Sequence, residues 1–359
     1  MVIRELRLRT FRNYTRLDWC IGPGVHVLTG GNGQGKTNLL EAIYLLSTMK
    51  SFRGARHQEM IQEGHDGYFV GAAVQGEYEA RVRLYRRRQD RKLTLNEEPV
   101  ASLHEFLGVV KTVVFSSEDI QLVKGSAAVR RRFLDLVCAQ TQPGYLKTLQ
   151  NYNKAVKSRN ILLKRRDCDR KVLAGFTHQV VTLGNAILDT RRRVIPKISP
   201  MARLAFRSIA EGRDEELIIE YRSSVKNDFQ QDLDRLLDRE FQLGSTTIGP
   251  HRDDIHLKIH HREASKFASE GQQRTLVLAL KLAQIQFLHD LSGASPILLI
   301  DDVMGELDHS RRKAFIPLLE KARHGRAQVI MTCTEPDWPA NLTENWQFWT
   351  VSSGKLSRK

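Results

Sequence analysis

An apolar strand that ends in a glycine-rich turn and runs straight into a helix leaves this chain few possible architectures. The strand reads VHVLTG, the turn GGNGQGKT covers residues 30–37, and Leu39, Leu40, Ile43 and Leu46 follow at helical spacing. The turn fits G-x-x-x-x-G-K-[ST] in the strand-then-helix context that the pattern requires. With Gly30, Gly31, Gly33 and Gly35 interleaved by Asn32 and Gln34, backbone N–H groups can wrap phosphates, and the helix N-terminus adds positive potential. Lys36 would reach the β- and γ-phosphates of ATP, and the Thr37 hydroxyl would ligate Mg2+. The expectation is an α/β fold.

Two further segments bear on the same chemistry. Residues 297–302, ILLIDD, read as an apolar strand ending in two carboxylates. An aspartate at such a tip suits a magnesium partner, assigned to Asp301, with Asp302 placed to polarise an attacking water. The alternative is an acid pair capping the next helix. In ASEGQQRTLVLAL, residues 268–280, the turn Ser269-Glu270-Gly271-Gln272 feeds a helix with Leu276, Leu280 and Ala283 on one face. Such a turn is either an ordinary N-cap or a hydroxyl and free N–H groups aimed at a γ-phosphate. Residues 30–37 already cradle the phosphates of their own chain. The economical arrangement therefore sets two chains face to face, each offering this turn to the other's nucleotide.

With 359 residues, 41% of them hydrophobic, the chain has room for one large domain and a smaller one. Lys and Arg number 56 against 41 acids, a formal charge of +15, which favours a polyanion or an anionic membrane surface. The opening MVIRELRLRTFRNY lacks a signal-peptide core, and no apolar run approaches the ~18 residues of a membrane span. Cys20, Cys138, Cys168 and Cys333 are scattered without a C-x-x-C, as reduced thiols in a cytoplasmic protein would be. Strands and helices alternate over residues 1–117. Residues 118–210 read as a helical, basic insert, with Pro196 and Pro200 marking its exit, and the α/β pattern resumes over 211–359, closing on one strand, WQFWTVSSGKL. Heptads are not sustained, so a long coiled coil is not expected.

The phosphate loop, the S-x-G-Q turn, the aspartate-ended strand and GELD (residues 305–308) occur in an order that resembles the ABC-type ATPase head shared with SMC proteins. LRLRTFRNY looks like the first strand of that group. SSEDIQLVKGSAAVRRRFLD (116–135) and GPHRDDIHL (249–257) are similar to segments of the RecF family, and the chain is identified as a member of it. The resemblance implies an ABC-type head with mixed sheets plus an inserted, mainly helical second domain. It implies an ATP-gated homodimer in which Ser269, Gly271 and Gln272 act in trans and Asp308 forms the D-loop. It implies binding to single-stranded and gapped duplex DNA, work with RecR and RecO in loading RecA, fork recovery and SOS induction, with weak hydrolysis releasing the dimer.

This chain departs from the wider ATPase pattern at several points. Ala268 stands where a leucine is usual, Glu270 replaces a glycine, and Asp302 replaces the usual catalytic glutamate, which predicts slow hydrolysis. After AQVIMT come Cys333 and Thr334 rather than a switch histidine, and Gln121 is a candidate for a Q-loop. The hypothesised DNA contacts are Lys154, Arg159, Lys164, Arg165 and Arg166 in the insert, with Arg86, Arg87, Arg88, Arg91 and Lys92 on a hairpin. The cluster His251-Arg252-Asp253 has neighbours in His256, His260 and His261, but the spacing fits no helix-borne ligand pair, so a structural or interface role is expected. Rival readings are the ATP-binding subunit of a transporter, which shares the head motifs, and a P-loop-headed nuclease.

Overall fold

The computed structural model describes residues 1–76, 78–88, 90–100, 103–165, 167–210, 215–302, 309–324, 327–333 and 345–359. Packing divides the chain into two units. One comprises Met1–Asp119, Ser208–Gly212 and Lys281–Lys359; the other comprises Ile120–Arg207 and Arg213–Leu280.

Among the described residues the first unit holds two six-stranded sheets. In the core sheet the strands Gly24–Thr29, Gln328–Cys333, Ile297–Asp301 and Thr112–Ser116 lie side by side and parallel. Their apolar runs are buried on both faces, as a parallel sheet demands. The chain end closes this sheet as a hairpin, Gln347–Ser352 and Lys355–Arg358, rather than as the one strand expected. Ser353 (φ +47°) and Gly354 (φ +73°) supply the tight left-handed turn that reverses it.

The other sheet is antiparallel, in the order Tyr14–Cys20, Val2–Phe11, Gly67–Gln75, Glu79–Arg87, Asp90–Leu95 and Glu98–Pro99. Leu6, Leu8, Val70, Val82, Leu84 and Leu93 are buried on one face, and the alternate residues look outward. The helix Lys36–Thr48 follows directly on the phosphate loop and buries Leu39, Leu40, Ile43 and Leu46.

The second unit is mainly helical, with Ala127–Thr141, Tyr145–Leu163 and the long helix Arg170–Ile209. Pro196 and Pro200 lie inside this last helix rather than at its exit. An internal proline costs a helix about 3 kcal/mol. Here the buried stripe Val194, Ile195, Ile198, Ala202 and Phe206 carries the helix through both.

Residues 215–280 pack with these helices, rather than with the ATPase head in which the sequence pattern places residues 211–359. The reason is a small sheet, Leu217–Arg222 beside Asp254–Ile259, whose apolar side chains meet the helix Ala127–Thr141, reinforced by two buried ion pairs described below. Among the described residues no helix is long and apolar enough to cross a membrane.

Candidate nucleotide site

The loop 30–37 connects the strand Gly24–Thr29 to the helix Lys36–Thr48. Its glycines are positional. Gly35 is the helix N-cap at φ +114°, and a Cβ there would fall 2.6 Å from the Asn13 amide nitrogen. Gly30 adopts φ +144° with the Val351 carbonyl against the place a Cβ would occupy. Both conformations belong to glycine. No side chain caps this helix and its first turn carries no acid, so its first N–H groups remain available to an anion. Lys36 is only 7% exposed, and its ammonium donates to the carbonyls of Gly30 (2.6 Å) and Gly31 (2.9 Å), folded along the loop it would leave to meet a phosphate.

The loop is braced from two sides. The turn after the first strand supplies Asn13, whose amide donates to the Gln34 carbonyl at 2.7 Å, and the strand that follows supplies Tyr14, whose hydroxyl donates to the Gly35 carbonyl at 3.1 Å. The C-terminal hairpin supplies the Ser353 N–H to the Gln34 side chain (2.6 Å) and the Gly354 N–H to the Gln34 carbonyl (3.2 Å). Arg12, at φ +53°, forks onto the buried carboxylate of Glu41 at 2.8 and 2.9 Å, which fixes that turn against the helix.

The aspartate-ended strand brings its acids to the same place. Asp301 accepts from the hydroxyls of Thr37 (2.8 Å) and Thr332 (3.0 Å) through one oxygen, Oδ1. Burial pushes its carboxyl above the usual carboxylate range, and those two hydrogen bonds oppose the shift. Asp302 is exposed, sits at φ +52°, and donates its N–H to Thr332 Oγ1 at 2.9 Å. A non-glycine residue held in the left-handed region costs of order 1 kcal/mol and clusters at functional sites. A cavity of ≈ 670 Å³ is lined by residues 32–37, Arg12, Asn13, Arg53, Asp302 and Thr332, among others.

Thr37 and Asp301 thus offer a paired hydroxyl and carboxylate, oxygen donors suited to a hard cation that keeps its remaining sites for phosphate and water. Arg12, Asn13, Arg53 and Thr332 had not been singled out. The sequence reads FRNY only as the end of a strand, and Thr332 lies inside the strand that AQVIMT predicts, bonded to Asp301. Thr334 itself, and Asp308 of the D-loop motif, lie outside the described residues.

In the second unit Ser269 caps the helix Glu270–Ser292. Its hydroxyl accepts from the Gln272 N–H at 3.2 Å, while the Gln272 side chain accepts from the Ser269 N–H at 2.8 Å. This reciprocal capping box leaves Ser269 and Glu270 exposed and Gly271 half-buried. The two readings of the turn are compatible, since a hydroxyl that accepts one hydrogen bond still has its own proton to donate.

Among the basic residues proposed for DNA, Lys154, Lys164 and Arg165 are exposed, and Arg166 lies outside the described residues. Arg159 must be withdrawn. It is 0% exposed, paired to the equally buried Glu240 at 2.7 Å and bonded to Thr177 (2.9 Å) and Thr246 (2.9 Å). The sequence of an isolated helix cannot tell an inward arginine from an outward one when its partner is 81 positions away.

The GPHRDD segment is anchored inward at Asp253, which is fully buried, while Arg252 is exposed. Asp253 accepts from Arg191 at 3.2 Å, from the Ser224 N–H at 2.8 Å and from the Tyr221 hydroxyl. His251 shares a 2.7 Å hydrogen bond with Tyr152, and burial lowers its pKa to about 4. Among the described residues no group of three or more His, Cys, Asp or Glu could hold a metal ion.

A phosphate loop on a parallel sheet, braced beside an aspartate-tipped strand, defines a nucleotide-binding head of the ABC/SMC type. Comparisons agree. The family described as RecF/RecN/SMC N terminal domain matches residues 2–355. The DNA replication and repair protein RecF of Symbiobacterium thermophilum is 39% identical, over 95% of each chain, and that of Streptococcus uberis is 36% identical, over 99% of each. Two solved structures of the recombination mediator protein RecF in the RecFOR pathway, one with ATP and one with ATPrS, are similar at TM-scores of 0.90 and 0.89. Both are 29% identical, cover 99% of this chain, and are themselves covered to 97% and 98%. An Smc head domain from Pyrococcus furiosus, at TM-score 0.56 and 15% identity, shares the fold alone. The chain belongs to the RecF family.

Proposed function

We propose that this chain is an ATP-gated DNA-binding protein of recombinational repair, and that the nucleotide is held between two copies of it. The observation that carries the reading is the convergence of Lys36, Thr37, Asp301 and Asp302 on one phosphate-sized turn, with an uncapped helix N-terminus behind it. Residues 30–37 bind the phosphates of ATP, Lys36 neutralises the β- and γ-phosphates, and Thr37 with Asp301 holds Mg2+, which offsets further phosphate charge. Asp302 acts as the base that orients a water, and its short side chain makes hydrolysis slow. Ser269 and Gly271 of a second copy complete the γ-phosphate shell, with Gln272 holding the turn in shape. Hydrolysis then removes the contact that joins the copies.

The loaded dimer binds single-stranded and gapped duplex DNA, with Lys154, Lys164 and Arg165 contributing phosphate contacts, and works in the cytoplasm with RecR and RecO to load RecA. The solved relatives described with ATP and within the RecFOR pathway support this reading. Sedimentation of wild type and Ser269→Arg with ATP and Mg2+, with and without DNA, tests it. The wild type dimerises and the variant stays monomeric while still binding ATP. A wild type that remains monomeric at saturating ATP with DNA present overturns it.

A further inference from the structure

The outward face of the antiparallel sheet is a second feature of the first unit, and the nucleotide site makes no use of it. Strand register places Arg16, Arg9, Phe69, Tyr85 and Lys92 directly across from one another over five strands. The next row runs Asp18, Arg7, Gly71 and Arg83, and the one after it Glu5, Ala73 and Arg81. Phe69 and Tyr85 have ring centroids 4.6 Å apart, and Tyr85 is 42% exposed. A Cβ at Gly71 would meet the Phe69 ring at 2.6 Å, so the glycine lets that ring lie across the sheet surface. A shallow hollow of ≈ 70 Å³ opens beside it, bounded by Arg7, Phe69, Ala73, Arg81 and Arg83.

The charge of this face is lopsided. Arg7, Arg9, Arg16, Arg81, Arg83, Arg87 and Lys92 stand against Glu5, Asp18, Glu79, Asp90 and Glu97, and Asp18 alone is shared by Arg7, Arg9 and Arg16. Lys92 has no ion-pair partner among the described residues. Along one strand Arg81, Arg83, Tyr85 and Arg87 recur every second residue, roughly 7 Å apart at the usual strand rise. The result is an aromatic pair set among a ladder of cations on an open surface.

We propose that this sheet face binds single-stranded DNA, with an unpaired base stacked on Tyr85 and Phe69 and neighbouring phosphates held by Arg7, Arg81, Arg83 and Lys92. Base-on-aromatic stacking together with a cationic track is the general mode of sequence-tolerant single-strand binding. A duplex cannot present the face of a base, so the aromatic pair selects the unpaired strand, while the arginines alone would accept either form. The inference rests on the reading that the protein binds DNA, and it adds where the unpaired strand sits.

Fluorescence anisotropy of the full-length protein with ATP and labelled oligothymidylate tests the site. Duplex binding and ATP binding are read in parallel on the same samples. Tyr85→Ala weakens oligothymidylate binding about tenfold, Tyr85→Phe does not, and both bind the duplex and ATP as wild type does. The double variant Arg81→Glu, Arg83→Glu loses more and has a shallower dependence on salt. Wild type prefers oligothymidylate to an abasic strand of equal length, and Tyr85→Ala does not distinguish them.

In Tyr85→Trp the introduced indole is quenched by oligothymidylate and not by oligoglutamate. Equal or stronger quenching by oligoglutamate would assign the face to an acidic protein partner and overturn the proposal. Unchanged oligothymidylate binding in Tyr85→Ala and in the double arginine variant overturns it while leaving DNA binding by the protein intact. A wild type that binds no DNA in any form overturns both this site and the function it rests on.

Discussion

Thr37 and Asp301 stand 264 positions apart in the chain and share a 2.8 Å hydrogen bond from hydroxyl to carboxylate. Thr332 donates to the same carboxylate oxygen at 3.0 Å and accepts the N–H of Asp302 at 2.9 Å. One threonine therefore ties the acid proposed to hold the cation to the neighbouring acid proposed as base.

Separating these two acids gives the first prediction. Asp302→Asn keeps a side chain that tolerates the left-handed backbone at φ +52° but removes the charge proposed to orient water. ATP affinity stays within about threefold of wild type, and single-turnover hydrolysis falls by roughly 100-fold or more. Filter binding and rapid-quench measurements check the two quantities; hydrolysis at the wild-type rate would assign the base elsewhere.

Gly30 supplies the second. Alanine there adds a Cβ against the Val351 carbonyl in a backbone region closed to other residues, so either the loop or the C-terminal hairpin must move. ATP binding drops by at least tenfold and stability falls by about 1–3 kcal/mol. Gly33→Ala, with no atom within 4 Å of the added Cβ, meets only the backbone term and loses less. Calorimetric titration of both variants gives the order.

The third concerns Arg159. Truncation to alanine leaves Glu240 buried without its cation, which costs about 3–5 kcal/mol. Tm falls by roughly 10 °C. DNA affinity measured well below the transition is unchanged, whereas Lys164→Glu and Arg165→Glu lower that affinity and leave Tm in place. Weakened DNA binding in Arg159→Ala at unaltered Tm would restore it as a phosphate contact.

Acid stability is the fourth. Burial lowers His26 in the first unit and His251 in the second from 6.5 to about 4. An unfolded histidine takes its proton near pH 6.5, while these rings resist until about pH 4. The stability tied to their neutral forms is thus complete above pH 6.5 and drains away as pH falls toward 4, by roughly 3 kcal/mol for each ring. Urea midpoints read across that interval fall accordingly, and His251→Gln flattens the dependence for the second unit.

Local pattern made much of the nucleotide site legible. The loop 30–37 needs only glycines, a lysine and a threonine between a strand and a helix, and ILLIDD needs only an apolar run that stops at two acids. Periodicity marked the helix under Ser269, and the Ser-x-x-Gln spacing carried the capping box that shapes its turn, though the reading went no further than an N-cap. It misread Pro196 and Pro200 because proline's cost is local while the buried stripe that outweighs it is tertiary. It also joined residues 215–280 to the wrong neighbours, since strand alternation does not say which layer a small sheet will cover.

By itself the sequence determined the chemistry on offer: a phosphate-loop pattern, where the strand-to-helix turn falls, and a large cationic excess. These follow from residue type and short-range spacing, and both are written along the chain. Only the tertiary structure decided which cations face water, putting Arg159 in the core and Arg81, Arg83 and Lys92 on an open sheet beside Tyr85. It also set Thr332 between the two acids and Asn13 and Ser353 against the loop. Those outcomes depend on pairing between residues tens to hundreds of positions apart, which is fixed only when burial and hydrogen bonding are satisfied for the whole chain at once.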